Sequence, residues 1–126
     1  MKKIIKTDNA PKPIGPYNQA VIAGDFIFIS GQIALNPASG ELITKNIEKE
    51  TTQVMENLKA ILQEASLTFE NVVKTTIFLS SMDNFSVVNE IYGSYLSNES
   101  APARETVEVS NLPKYVNIEI SLIACK

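Results

Sequence analysis

A chain of 126 residues with 44% hydrophobic and 20% charged side chains has a globular make-up, and as one domain over residues 1–126 it would bury roughly two-thirds of its unfolded surface. The net charge of −3 and a pI near 5.0 disfavour tight binding to nucleic-acid phosphates. With no histidine and a single cysteine, Cys125, the chain has no Ser-His-Asp or Cys-His nucleophile system, no histidine-bearing zinc site, no internal disulfide and no four-cysteine site. Any chemistry falls to carboxylates, hydroxyls, arginine or lysine, amides and backbone groups. No stretch approaches the roughly 20 apolar residues that span a bilayer. The lysines near the start precede no apolar signal-peptide core. A cytoplasmic protein with neither membrane nor nucleic-acid partners is expected.

Residues 1–7 form a short apolar run flanked by lysines, read as an edge strand. Residues 9–17 hold Pro11, Pro13 and the Gly15-Pro16 pair, which make an extended loop with fixed turns. The apolar runs 20–23 and 26–30 are separated by Gly24-Asp25, a hairpin signal. A turn-rich loop over 36–40 follows, with a short strand expected at 41–43. Ile47, Thr51, Val54, Met55, Leu58, Ile61, Leu62 and Ala65 fall at steps of three and four, predicting a helix over 47–65 with one apolar stripe. Glu48 and Glu50 suit its N-terminal end. Residues 72–79, rich in Val, Thr, Ile and Phe, predict a strand with two fairly apolar faces. A second single-stripe helix is expected from 83 or 84 to 96, with Asp83 as its N-cap. Pro102 then opens a strand over 103–109, and a final strand runs over 116–124.

Two single-stripe helices against several strands predict an α+β two-layer sandwich, a mixed, mainly antiparallel sheet with both helices on one face. The other face, carrying Phe26, Phe28 and Phe78, then lacks a cover, which implies an oligomer interface. If strands 103–109 and 116–124 pair with their apolar faces together, Arg104, Thr106 and Glu108 share a face with Glu119 and Ser121. Arg104 then reads either as an ordinary surface residue, as half of a structural Arg–Glu pair, or as the grip of a small anion pocket. In the last case Glu119 would handle a proton or a water.

Several motifs, in order, resemble the RidA (reactive intermediate deaminase A, YjgF-type) family over essentially the full length. They are Ala10-Pro11, Ile14-Gly15-Pro16-Tyr17-Asn18-Gln19-Ala20, Ser30-Gly31-Gln32-Ile33, Asn36-Pro37 and Gly40-Glu41, then Val73-Lys74-Thr75-Thr76, Met82, Phe85, Val88-Asn89 and Tyr92. Pro102-Ala103-Arg104, Val107-Glu108-Val109, Leu112-Pro113-Lys114 and Ile118-Glu119-Ile120 complete the set. The resemblance implies a chorismate-mutase-like fold and homotrimers whose sheets close into a central barrel, with ligand clefts between subunits. It also implies a metal- and cofactor-free hydrolase that converts reactive enamines and imines of the 2-aminoacrylate type to 2-keto acids and ammonia. Such substrates are released by pyridoxal-phosphate-dependent serine/threonine dehydratases. Within it Arg104 matches the residue that binds the substrate carboxylate, and Glu119 the acid linked to the attacking water. Tyr17, Ser30 and Asn89 match other cleft positions.

The chain departs from the family where many active members read Arg-Ser-Cys-Val. Here the run is Arg104-Glu105-Thr106-Val107, so Thr106 takes the cysteine position and Glu105 brings a negative charge beside the arginine. Thr106 serves if the family uses that position through its backbone. Three functions remain to be separated: an imine deaminase, a non-catalytic trimeric binding or regulatory protein for small carboxylates, and, least favoured by charge and the missing histidine, a ribonuclease or translation inhibitor.

Overall fold

The computed structural model describes residues 1–126. Six strands and two helices follow in chain order: β1 (Lys3–Ile5), β2 (Ala20–Ala23), β3 (Phe26–Gln32), α1 (Ile47–Glu64), β4 (Val72–Leu79), α2 (Phe85–Ser94), β5 (Ala103–Glu108) and β6 (Ile118–Cys125). The strands form one mixed sheet in the order β1-β2-β3-β6-β4-β5. All pairings are antiparallel except β4–β5, which is parallel. The expected α+β two-layer architecture is observed.

Both helices cover one sheet face. From α1 that layer receives Val54, Met55, Leu58, Ile61 and Leu62, and from the sheet Ile27, Ile29, Ile77, Leu79, Ile118, Ile120 and Leu122. Strand periodicity does the sorting: in β6 the buried residues alternate with Glu119, Ser121 and Ile123, which point to the uncovered face. Asn46 caps α1, its side chain accepting from Lys49 N–H at 2.8 Å. Deep in the layer Asn57 donates to the carbonyls of Ile33 and Leu35, tying the chain after β3 to α1.

Several local expectations change. The second helix is shorter than periodicity predicts, ending at Ser94. A 3₁₀ turn over Met82–Asn84 precedes it, capped by Ser81, whose hydroxyl accepts from Asp83 N–H. At α2 itself the N-cap position is Asn84, without a side-chain hydrogen bond, so Asp83 does not cap the helix as expected. In place of a strand at 41–43 there is a single bridge between Leu35 and Leu42. The final strand starts at Ile118, because 3₁₀ geometry over Pro113–Tyr115 and the extended Val116 bring the chain into the sheet there.

The largest correction concerns β5. It pairs with β4, not with β6. In the β4–β5 register Thr75 lies beside Arg104, Ile77 beside Thr106 and Leu79 beside Glu108. Those β4 residues are buried under the helices, so Arg104, Thr106 and Glu108 lie on the helix side of the sheet. Glu119 pairs with Phe78 on the opposite side. Arg104 and Glu119 therefore do not share a face. Strand spacing and rise put their Cα atoms about 14 Å apart, two strands over and three residues along. Parity inverts because β5 is the outermost strand, where the helix side meets only the flank of α2. Its polar set can stay there and its Val107 turns to the open face, 41% exposed.

The open face remains apolar and uncovered, with Phe26 46%, Phe28 44% and Val73 44% exposed. Phe78, expected in the same patch, is instead half-buried against a small cluster of Ile33, Leu112 and Val116. The chain has no helix long and apolar enough to cross a membrane.

Candidate active site: two half-sites

The first half-site is built on the β5 edge. The Arg104 guanidinium donates from Nη1 to Asn89 Oδ1 at 2.6 Å. Its Cζ lies 5.7 Å from the centre of the Phe85 ring and 5.3 Å from that of Tyr92. Both rings, like Asn89, come from α2, whose helical spacing of three and four residues brings 85, 89 and 92 onto one face. Tyr92 is fixed in turn by donating its hydroxyl to Thr75 Oγ1 at 2.8 Å. Burial pushes the Tyr92 hydroxyl up, opposed by the Thr75 bond and the Arg104 charge, so the ring stays neutral under the cation. Arg104 is exposed and joins no ion pair; its remaining N–H donors are free for a planar anion. Two residues along the same strand side, the Thr106 hydroxyl is buried with no hydrogen-bond partner.

The second half-site is a cavity of about 330 Å³ at the other side of the sheet, where Tyr17, Ser30, Gly31, Leu35 and Glu119 meet with Lys12 at the lining. A β-bulge shapes it. Ile29 pairs with Leu122 and Gln32 with Ile120, so β3 takes three steps where β6 takes two, and the extra residue falls at Ser30–Gly31. Gly31 is indispensable for space: a β-carbon there would lie 2.8 Å from Glu119 Cδ and Oε2. Burial pushes the Glu119 carboxyl above the usual carboxylate range, with no neighbouring charge contributing. Glu119 is thus poised to accept a proton closer to neutral pH than a surface glutamate.

Tyr17 enters from the proline-rich loop. Its hydroxyl oxygen accepts from Ile14 N–H at 3.2 Å, leaving the phenolic proton free. Behind it Gln19, almost fully buried, bonds to Thr7 N–H and to the carbonyls of Thr7, Ala10 and Pro11, folding residues 7–17 back on β2. Ser30 donates to Asn18 O at 2.6 Å, so its proton serves the loop and its oxygen keeps acceptor capacity. On the far side Lys114 and Tyr115 both sit at φ 55, consecutive non-glycine residues in the left-handed region next to Pro113 of the cavity wall.

Tyr17, Ser30 and Glu119 are therefore brought together, and so are Arg104, Asn89 and, along the strand, Thr106. The two sets are not joined within one chain. Gly31 and Lys12 were not singled out from the sequence as site residues. A glycine inside a strand-like run is the signal that could have marked Gly31. Glu105 points away from Arg104, as expected: it pairs with Lys74 at 3.0 Å and accepts from Thr76 at 2.5 Å on the open face.

Residues 7–126 match the family model described as Endoribonuclease L-PSP. A RutC family protein of Pyrococcus horikoshii is 52% identical over 126 residues, spanning 100% of this chain and 99% of that protein. The crystal structure of YyfA, a Rid family protein from Yersinia pestis, superposes with a TM-score of 0.97 at 47% identity, covering 100% of both chains. That of E. coli TdcF with bound serine gives 0.92 at 38% identity over 98% of each. With one family model over nearly the whole chain and a half-identical relative of the same length, the chain belongs to the YjgF/RidA family, also termed RutC and L-PSP.

Proposed function

We propose that this protein is a hydrolytic deaminase of small carboxylated enamines and imines, converting 2-aminoacrylate-type compounds to 2-keto acids and ammonia. The observation that carries this reading is the division of the site. An arginine with free donors lies on one side of the sheet, and a glutamate with a raised proton affinity lies in a cavity on the other. Neither half suffices for a carboxylated imine, and a head-to-tail ring of subunits can join them. A homotrimer built through the open apolar face would bring Arg104 of one subunit to the Glu119 cavity of the next.

In that cleft Arg104 holds the substrate carboxylate by two parallel hydrogen bonds, with Asn89 and the two rings fixing the guanidinium plane. Thr106, in the family's cysteine position, stands two residues along the same strand side. The Tyr17 hydroxyl gives a proton to the terminal carbon of the enamine and its oxygen takes up the proton leaving nitrogen, so the imine forms and the phenol is restored. Glu119 takes a proton from water as the water oxygen bonds to the imine carbon, and passes that proton to the nitrogen. The C–N bond of the resulting carbinolamine then breaks, releasing ammonia and the 2-keto acid. An imine carbon is already electrophilic, so orientation and a modest base are enough.

Non-catalytic binding of small carboxylates is the second reading. It is favoured by the serine bound to TdcF and by the Glu105-Thr106 departure beside Arg104. Ribonuclease action has the family description behind it, but the net charge of −3 works against phosphate binding. A serine dehydratase assay separates the readings. Added wild-type protein is expected to speed keto-acid release and suppress semicarbazone trapping of the imine, and Arg104→Ala to abolish both effects. An unchanged rate with wild type, together with 2-ketobutyrate binding through Arg104, leaves the binding protein.

A further inference from the structure

The Glu119 carboxylate makes no hydrogen bond or ion pair of its own within the chain, and burial alone perturbs it. Its place is set by the backbone that carries it and by the space over Gly31. That backbone is held by another glutamate. Glu50, in the first turns of α1, is 0% exposed and faces no lysine or arginine, since the chain's one ion pair is Lys74–Glu105. Its Oε2 accepts from Asn117 N–H at 2.7 Å and from Ile118 N–H at 3.2 Å, and its Oε1 from Asn117 Nδ2 at 2.8 Å. All three donors belong to the two residues immediately before Glu119. Ser80, the residue after β4, holds the same segment, its N–H donating to Asn117 O at 3.0 Å and its hydroxyl to Asn117 Oδ1 at 3.2 Å.

A carboxylate in the interior without a cation loses its hydration and needs every replacement donor it can find. For simple adhesion between helix and strand, well-packed apolar residues often do as well as buried charges. What the carboxylate adds is direction. Two consecutive N–H groups meeting one oxygen fix the orientation of the peptide planes where β6 begins, and the next side chain leaves on the opposite face. We propose that Glu50 is a positioning residue for Glu119, fixing from the helix side of the sheet the backbone from which Glu119 crosses Gly31 into the cavity. The inference rests on Glu119 being the group that handles water, but its structural half can be tested without turnover.

The test uses the full-length protein and follows Glu119 by carboxyl-carbon NMR titration, alongside kcat and KM in the dehydratase assay. Lys12 and Tyr17 are the other titratable groups lining the cavity, and both stay in place in every variant. In wild type Glu119 is expected to titrate above the ordinary carboxylate range. Glu50→Leu should move that titration by about half a pH unit or more, because the same carboxyl meets a differently desolvated setting. It should lower kcat about tenfold and leave KM within about twofold, since Arg104 still holds the substrate. Glu50→Gln should stay close to wild type: its amide oxygen keeps both backbone N–H bonds while the Asn117 amide turns to face its NH₂. If Glu50→Leu does not fold, Asn117→Ala removes the Oε1 donor together with the Ser80 hydroxyl bond, leaves both backbone N–H bonds to Oε2, and should shift the titration in the same direction by less. A folded Glu50→Leu, or failing that Asn117→Ala, with an unmoved Glu119 titration would reduce Glu50 to a plain tie and overturn the proposal. A wild type without deaminase activity would instead defeat the functional reading, and the titration would still decide the positioning.

Discussion

Glu119 reaches its cavity because residue 31 has no β-carbon to stand in its way. In Gly31→Ala the new methyl group would meet the Glu119 carboxyl at 2.8 Å, and the carboxyl, at the flexible end of a side chain, gives way before the backbone does. The expected result is a protein that folds normally with kcat lowered about 10²-fold, the loss that an ångström of misplacement can cause. Thermal melting together with steady-state rates checks this; a rate near that of wild type would mean that the carboxyl position does not matter. The residue types at the site were largely legible from the chain: no histidine, one arginine on a strand, a glutamate on the next strand. The close approach at Gly31 was not, because it depends on a bulge whose register exists only once β3 and β6 are paired. Lys12 was missed for a similar reason, since a loop lysine gives no sign of the cavity it lines.

Among the elements, the helices and strands follow their sequence periodicity closely, with α1 and β4 within a residue or so of expectation. Strand order does not follow from periodicity. Face parity relates two strands only after their pairing is known, and here β4 separates the two strands in question. The parallel β4–β5 pair puts Arg104 against α2, and this single placement splits the site. The proline-rich loop shows a second kind of dependence. Its prolines mark it as extended, yet its shape rests on one buried amide, Gln19. Gln19→Leu strands Thr7 N–H and three carbonyls, and should cost about 2–3 kcal/mol of unfolding free energy, the penalty of leaving buried polar groups unpaired. Urea denaturation measures it; a loss under about 0.5 kcal/mol, within the range of an ordinary surface change, would mean that water takes over those bonds.

At the scale of the whole molecule, an apolar sheet face and two incomplete half-sites make the same demand for a second copy of the chain. Phe28, Phe26, Val73 and Val107 lie exposed, and on the proposed reading the Arg104 and Glu119 surfaces complete each other. In the proposed homotrimer such complementary patches would join head to tail in a closed ring. Complementation between two defective chains tests this account most directly. Arg104→Ala and Glu119→Gln should each be inactive in the dehydratase assay as separate homo-oligomers. After co-refolding at equal concentration, random assembly gives an intact Arg104 facing an intact Glu119 at about one interface in four, so about a quarter of wild-type activity should return. Mixed oligomers that form but recover no activity would contradict a site shared between neighbouring chains.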